Sequence, residues 1–205
     1  LSKALINMIR LKDFDALEII SITAEKLSAG EILQIEKSMT RSMDEATYFN
    51  MIGQKTSSLI ATSCELGAIT TTKKDEDRKA TYDFGNNLGT AFQIKDDLFD
   101  ITGSEFQTGK NSNSDVKKNM ITLPLIYAKS KMSRIQKRKL KELLKKKNKN
   151  KKTLLGIREL ITEAGGIRYS INKMEEYSNL ALAAIEGYPD TPIKQSLKDL
   201  VAFNS

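Results

Sequence analysis

Apolar residues recur every three or four positions along almost the whole chain. Because an α-helix turns about 100° per residue, this spacing places them on one face of a helix. No stretch shows the sustained two-residue alternation of a half-buried strand. Heptads and fixed repeats are also absent from the sequence. The pattern therefore predicts an all-α protein that folds as a compact helical bundle rather than a coiled coil or a solenoid.

Glycine, proline and capping residues divide this pattern into separate helices. The 44–70 segment is predicted as one long element, and an irregular loop is predicted over 103–119. Thr122 is the predicted N-cap of the helix that follows, with Pro124 in its first turn. The other predicted helices are 1–9, 13–26, 31–39, 75–101, 133–147, 153–164, 166–185 and 191–203.

Composition restricts the chemistry that the chain can perform. With 205 residues, 40% of them hydrophobic, the chain can bury one sizeable core, which favours a single domain over 1–205. The absence of histidine excludes Ser-His-Asp catalysis and histidine metal sites. The one cysteine, Cys64, is interpreted as a small core residue because no histidine can activate it. No run of about 18 apolar residues exists, so no transmembrane segment is predicted and a cytoplasmic location is expected.

The positive charge is concentrated in one segment. The net charge is +7, yet residues 129–152 hold 13 Lys or Arg against only Glu142, a local net charge of +12. Such a segment could bind nucleic acid or anionic lipid, or it could be a solvated helix end and loop. The second interpretation is favoured because no aromatic residue lies among the lysines to stack on bases. We therefore predict no nucleic-acid partner.

The clearest candidate chemistry lies near the end of the predicted 75–101 helix. Asp96, Asp97 and Asp100 are predicted on one side of a helical turn. The apolar residues predicted on roughly the opposite side are Phe84, Leu88, Ala91, Leu98 and Phe99. Three anions there repel each other and oppose the negative end of the helix dipole, which favours a bound cation. Carboxylate oxygens at this spacing suit Mg²⁺, although an Asp-rich helix end is more often simply solvated.

The surrounding motifs decide between these two interpretations. In chain order they are Gly30-Glu31-Ile32-Leu33-Gln34, Lys55-Thr56, Phe92-Gln93, Asp96-Asp97 with Asp100, Gly109-Lys110, Asp115 and Thr122-Leu123-Pro124. As an ordered set they resemble the trans-isoprenyl diphosphate synthases, whose second aspartate-rich motif reads Phe-Gln-x-x-Asp-Asp-x-x-Asp. The resemblance covers residues 1 to about 128.

This resemblance implies an isoprenoid-synthase-type helical bundle around a central cavity. In that family a first and a second aspartate-rich motif together hold Mg²⁺ on the diphosphate of an allylic substrate. Asp96 is then implied to be a direct ligand, and Asp97 and Asp100 to help directly or through water. The implied reaction condenses isopentenyl diphosphate with an allylic diphosphate, and a homodimer is expected.

The resemblance also implies roles for residues outside the acidic motif. Lys55 and Lys110 match lysines that neutralise the same diphosphate. Thr56 and Gln93 match positions on the polar wall of the site, and Phe92 matches a residue near the incoming homoallylic substrate. For Lys55, its place between apolar helical segments favours this role over that of an ordinary surface lysine.

The sequence departs from the family pattern in two places. Met120 stands where a lysine toward the diphosphate is common, and Lys117 or Lys118 could compensate for it. In addition, Asp96-Asp97 is the only Asp-Asp pair, so the first aspartate-rich motif is absent from these residues. Residues 1–5 resemble the segment that follows that motif. We therefore expect the C-terminal portion of a longer enzyme, without its N-terminal helices and inactive on its own.

The sequence leaves two other functions open. A non-catalytic subunit of a heteromeric synthase would lack the first motif naturally. The clustered acids argue against it, because a subunit without catalysis has no physical reason to keep groups that destabilise a helix. A nucleic-acid-binding helical protein would use the basic 129–152 segment and would bind DNA with a steep salt dependence.

Overall fold

The computed structural model describes residues 2–40, 42–103, 122–146 and 150–204, and these residues form helices without any strand. The all-α prediction is thus confirmed. The helices are α1 (Ser2–Leu11), α2 (Phe14–Thr40), α3 (Glu45–Ile52), α4 (Ser58–Ile69), α5 (Asp75–Thr102), α6 (Leu123–Lys131), α7 (Arg134–Lys145), α8 (Lys151–Glu163), α9 (Gly166–Ala184) and α10 (Pro192–Phe203). A single π-helical turn, Gly53–Ser57, joins α3 to α4.

Side-chain capping explains where several of these helices begin. The side chains of Ser133, Asn150 and Thr191 each accept a hydrogen bond from a backbone N–H in the first turn of α7, α8 and α10, respectively. Such caps satisfy donors that have no partner within the helix. Thr122 occupies the predicted N-cap position of α6, with Pro124 in the first turn, but its side chain makes no capping hydrogen bond.

Helix α2 differs from its prediction. The sequence predicts two helices, 13–26 and 31–39, whereas the structure has one helix over Phe14–Thr40. Gly30 is buried in the middle of it. A Cβ atom added at Gly30 would lie 2.7 Å from the backbone nitrogen of Lys55, so the glycine allows a close approach of two backbones. The predicted break between the two helices was wrong, because a glycine is needed at this position for the close contact with Lys55 and not to end a helix.

The residues group into two compact units. Unit 1 comprises Leu1–Glu36, Phe49–Gln93 and Glu175–Ser205, and unit 2 comprises Lys37–Tyr48 and Ile94–Met174. The core of unit 1 includes Phe84, Ala181, Ile185 and Val201, with half-buried Cys64 packed against it. Burial raises the pKa of the Cys64 thiol, which agrees with a packing role. The core of unit 2 comprises Ile101, Leu125, Ala128, Met132, Leu140, Leu154, Ile157, Leu160 and Ile161.

The helices of the described ranges are also informative about membranes. None of them combines the length and the apolar character that crossing a bilayer requires.

In α7 the apolar face buries Leu140, while the Lys and Arg side chains are exposed. This arrangement agrees with the interpretation of the basic segment as a solvated helix, because one face packs and the charged face is left to water.

Candidate functional site

The three aspartates of α5 have two different environments. Asp96 and Asp100 are exposed. They lie one turn apart, so they project from the same face of the helix. Asp97 is buried, with only 6% of its surface exposed. Two carboxylates are therefore accessible to a ligand from solvent, and the third is packed inside unit 2.

Two hydrogen bonds from the described residues hold the Asp97 side chain. Its Oδ2 atom accepts one from the hydroxyl of Tyr48 at 2.8 Å and one from the backbone N–H of Leu123 at 2.9 Å. Leu123 opens α6, where the first N–H groups have no acceptor within the helix. Burial, together with the negative charges of Asp97 and Asp96, raises the pKa of Tyr48 and keeps its hydroxyl protonated as a donor. Asp97 therefore anchors α5 to Tyr48 and to the start of α6.

The predicted division of α5 into one charged side and one packing side was wrong for two residues. Asp97 is buried, and Phe99, predicted to pack, is 68% exposed. The reason is geometric, because Asp97 follows Asp96 by about 100° of rotation and the hydrogen bonds to Tyr48 and Leu123 lie in that direction. Within the described ranges, no three His, Cys, Asp or Glu side chains are grouped so that they could hold a metal ion.

Asp96 and Asp100 nevertheless fit a divalent cation. Both present exposed carboxylate oxygens on one helix face, and Mg²⁺ commonly takes one or two protein carboxylates and completes its shell with water and substrate phosphates. α5 has no basic residue in its last turn. A cation bound there would therefore relieve the repulsion between these acids.

Lys55 and Thr56 lie on the π turn that joins α3 to α4. The backbone N–H of Ser58 donates to the carbonyl oxygen of Gly53, five residues earlier, which defines this wider turn. The Thr56 hydroxyl donates to Oε1 of Gln93 at 2.8 Å. Single π turns within helices are frequent at functional sites. The structure thus brings together Thr56 and Gln93, the two residues that the resemblance assigns to a polar wall.

The Lys55 ammonium is held by helix α2. Its Nζ atom donates to Oε1 of Gln34 at 2.5 Å and lies 3.2 Å from Oε1 of Glu31. The Gly30-to-Gln34 motif is part of the family resemblance, but the sequence alone predicts no role for Glu31 or Gln34. The spacing of Gly30, Glu31 and Gln34 at i, i+1 and i+4 was the available signal, because it predicts one side of α2 facing a single neighbour.

The other predicted site residues are less constrained by the structure. Phe92 is 51% exposed, so the described residues leave much of its ring open. Lys110 and Met120 lie outside the described residues, as do the two neighbouring lysines at 117 and 118. Their roles stay predictions.

Comparison with known proteins decides the family. The sequence model of the family described as polyprenyl synthetase matches residues 1–161. The chain belongs to the polyprenyl synthetase family. This confirms the resemblance to trans-isoprenyl diphosphate synthases, which rested on short motifs alone. It also extends the match beyond residue 128 into α8.

Two curated relatives of this polyprenyl synthetase chain cover nearly all of it. Solanesyl diphosphate synthase 3 of Arabidopsis thaliana is 30% identical over 98% of this chain and 47% of its own length. Heptaprenyl diphosphate synthase component 2 of Bacillus subtilis is 32% identical over 99% of this chain and 57% of its own length. The chain therefore spans about half the length of the relatives that it matches.

A solved structure shows the same fold. A polyprenyl synthase from Caulobacter crescentus, crystallised with calcium and isoprenyl diphosphate, is 28% identical and has a TM-score of 0.83, over 96% of this chain and 60% of that one. The helices of this polyprenyl synthetase chain thus adopt the all-α isoprenoid synthase fold. That relative was crystallised with both a divalent cation and a diphosphate.

Proposed function

We propose that the protein containing this chain is a trans-prenyltransferase. It would condense isopentenyl diphosphate with an allylic diphosphate, forming a polyprenyl diphosphate and releasing diphosphate. The observation that carries this proposal is the pair of exposed carboxylates, Asp96 and Asp100, on one face of α5 in a chain of the polyprenyl synthetase family. Lys55, fixed on the π turn, adds a positive charge suited to a diphosphate.

The chemistry requires charge to be stabilised at the leaving group. When the allylic C–O bond ionises, negative charge accumulates on the departing diphosphate, and bound Mg²⁺ would neutralise it. Asp96 and Asp100 would hold this cation. Lys55 would donate hydrogen bonds to the diphosphate oxygens, and the Thr56–Gln93 pair would keep the π turn in place during binding.

A second candidate is a non-catalytic subunit of a heteromeric prenyl diphosphate synthase. The Bacillus subtilis relative, whose name calls it a component, makes this candidate worth testing. Asp96 and Asp100 favour the catalytic role, because two like-charged acids one turn apart destabilise a helix unless they bind a cation. The homodimer and the cytoplasmic location stay predictions.

The test is turnover by the full-length protein. Purified protein, labelled isopentenyl diphosphate, Mg²⁺ and allylic diphosphates of several lengths should give a labelled, longer prenyl diphosphate. Product that forms only after a second protein is added would favour the subunit role. If no allylic diphosphate is extended under either condition, the proposed function is wrong. We expect the 205-residue stretch, assayed beside the full-length protein, to be inactive because the first aspartate-rich motif is not within it.

Charge removal in the basic segment should leave activity near that of the parent. The change replaces Lys145, Lys146, Lys147, Lys149, Lys151 and Lys152 by Gln in the full-length protein. The described lysines of this set are exposed, and surface substitutions of this kind change stability by less than about 0.5 kcal/mol each. Turnover and binding to anionic vesicles and to DNA are measured beside the parent. A large fall in activity, or in either kind of binding, would show that the segment has a function.

A further inference from the structure

Gln34 lies where it can control the position of Lys55. The Lys55 ammonium carries three N–H donors, and the described contacts direct two of them toward Gln34 and Glu31 of α2. The Lys55 side chain remains 30% exposed, so a ligand can reach it. A lysine held in this way has one donor direction left for a ligand.

The two α2 side chains differ in what they do to the charge of Lys55. Glu31 is a carboxylate, but its side chain is 55% exposed and its oxygen is 3.2 Å away, so solvent weakens this ion pair. Gln34 is half-buried and presents a neutral carbonyl oxygen at 2.5 Å. A neutral acceptor orients the ammonium and leaves its full positive charge for an anion. Gln34 is therefore the better suited of the two to position Lys55.

The backbone around Lys55 is fixed on several sides within unit 1. Gly30 of α2 approaches the Lys55 backbone so closely that a Cβ atom would not fit. Thr56 is bonded to Gln93 at 2.8 Å, and the Ser57 hydroxyl is bonded to the Thr90 hydroxyl at 2.9 Å. Three consecutive residues of the π turn are thus each tied to a neighbouring helix. With the backbone fixed, the remaining freedom of Lys55 is in its long side chain, and Gln34 restricts it.

We propose that Gln34 is a positioning residue that sets the affinity for diphosphate through Lys55. This inference rests on the proposed function, in which Lys55 binds the diphosphate of the substrate. Without Gln34 the Lys55 side chain would lose a fixed acceptor and would sample several rotamers. Binding of diphosphate would then have to order the side chain as well.

The test is a double-mutant cycle in the full-length protein. The variants are Gln34→Met, Lys55→Met and the double variant, titrated calorimetrically with inorganic diphosphate and excess Mg²⁺. We expect Gln34→Met to weaken binding about tenfold and Lys55→Met about 100-fold. In the double variant we expect the same affinity as in Lys55→Met, because a residue that acts through Lys55 has no effect without it. Effects that multiply in the double variant would overturn the proposal.

Controls separate positioning from folding. Gln195→Met makes the same change at an exposed helical site with an i,i+4 contact to Asp199, and should leave diphosphate affinity unchanged. Gln34→Asn keeps the amide but shortens the side chain, and should behave like Gln34→Met. Thermal unfolding of each variant should match the parent. If Gln34→Met and Gln34→Asn both keep the parent affinity, the proposal is wrong.

The same titrations distinguish this proposal from the proposed function. A parent protein that binds diphosphate with the expected coupling but extends no allylic substrate would contradict the proposed reaction and support the role of Gln34. A parent that turns over substrate, but in which the two substitutions act independently, would contradict only the role of Gln34. A parent that does not bind diphosphate with Mg²⁺ would overturn the role of Gln34 as well.

Discussion

Replacing Asp96 by Asn is expected to lower turnover about 10²- to 10³-fold, the usual effect of losing one electrostatic contact in such a site. Asn preserves the volume and one acceptor oxygen of the side chain, but it replaces the other oxygen by an NH2 group and removes the charge that would ligate Mg²⁺. Because Asp96 is exposed, the substitution leaves no buried group unpaired. The fold should therefore survive while the activity of the full-length protein falls.

The free energy of unfolding should change in the opposite direction. Asp96 and Asp100 are like charges one turn apart on α5, and such a pair destabilises a helix by about 0.2–0.5 kcal/mol. Without metal, Asp96→Asn should leave stability unchanged or raise it by that amount. The measurements are turnover with excess Mg²⁺ and urea unfolding in a chelator. Retained activity, or a loss of more than about 1 kcal/mol without metal, would mean that Asp96 is a structural residue.

Much of the fold follows from local patterns in the sequence. Helical periodicity and capping residues predicted α5 and the C-terminal helices, because those signals lie within the helices themselves. The break predicted in α2 was wrong because Gly30 is a common stop signal in the sequence, whereas its reason in the structure is the backbone of Lys55. That contact joins residues far apart in the chain. A single sequence carries no direct signal for it.

The candidate site also has features that the sequence predicts and features that only distant contacts determine. The motif spacing identified Asp96, Lys55 and Gln93 as site residues through the family resemblance, and their roles stay predictions. The burial of Asp97 could not be predicted, because its partner Tyr48 lies 49 residues earlier in the chain. The contact of Lys55 with Gln34 spans 21 residues and was hidden for the same reason. Periodicity gives the direction of a side chain on its own helix but not the group that it meets.

Replacing Asp97 by Ala is expected to destabilise the metal-free protein by about 2–6 kcal/mol. The substitution removes the carboxylate oxygen that accepts from the Tyr48 hydroxyl and from the Leu123 N–H inside unit 2, and the loss of the acceptor of a buried donor costs about 1–3 kcal/mol. The contrast with Asp96 is the informative part, since the two aspartates are adjacent and chemically identical. Asp96→Ala is the matched control, and it should change stability by less than about 0.5 kcal/mol.

A double-mutant cycle shows how much of the stability lost in Asp97→Ala is due to the hydrogen bond from Tyr48. Tyr48→Phe keeps the buried ring and removes only the hydroxyl, so it should destabilise the protein by about 1.5–3 kcal/mol, the value of a hydrogen bond to a charged acceptor. The double variant should lose less stability than the sum of the losses in the two single variants, because both single substitutions remove the same Tyr48–Asp97 hydrogen bond. Urea unfolding in the presence of a metal chelator gives the free energy of unfolding of the parent, the two single variants and the double variant. Equal stabilities of the Asp96→Ala and Asp97→Ala variants would show that Asp97 is not an anchor, and its assignment as a metal ligand would then be favoured.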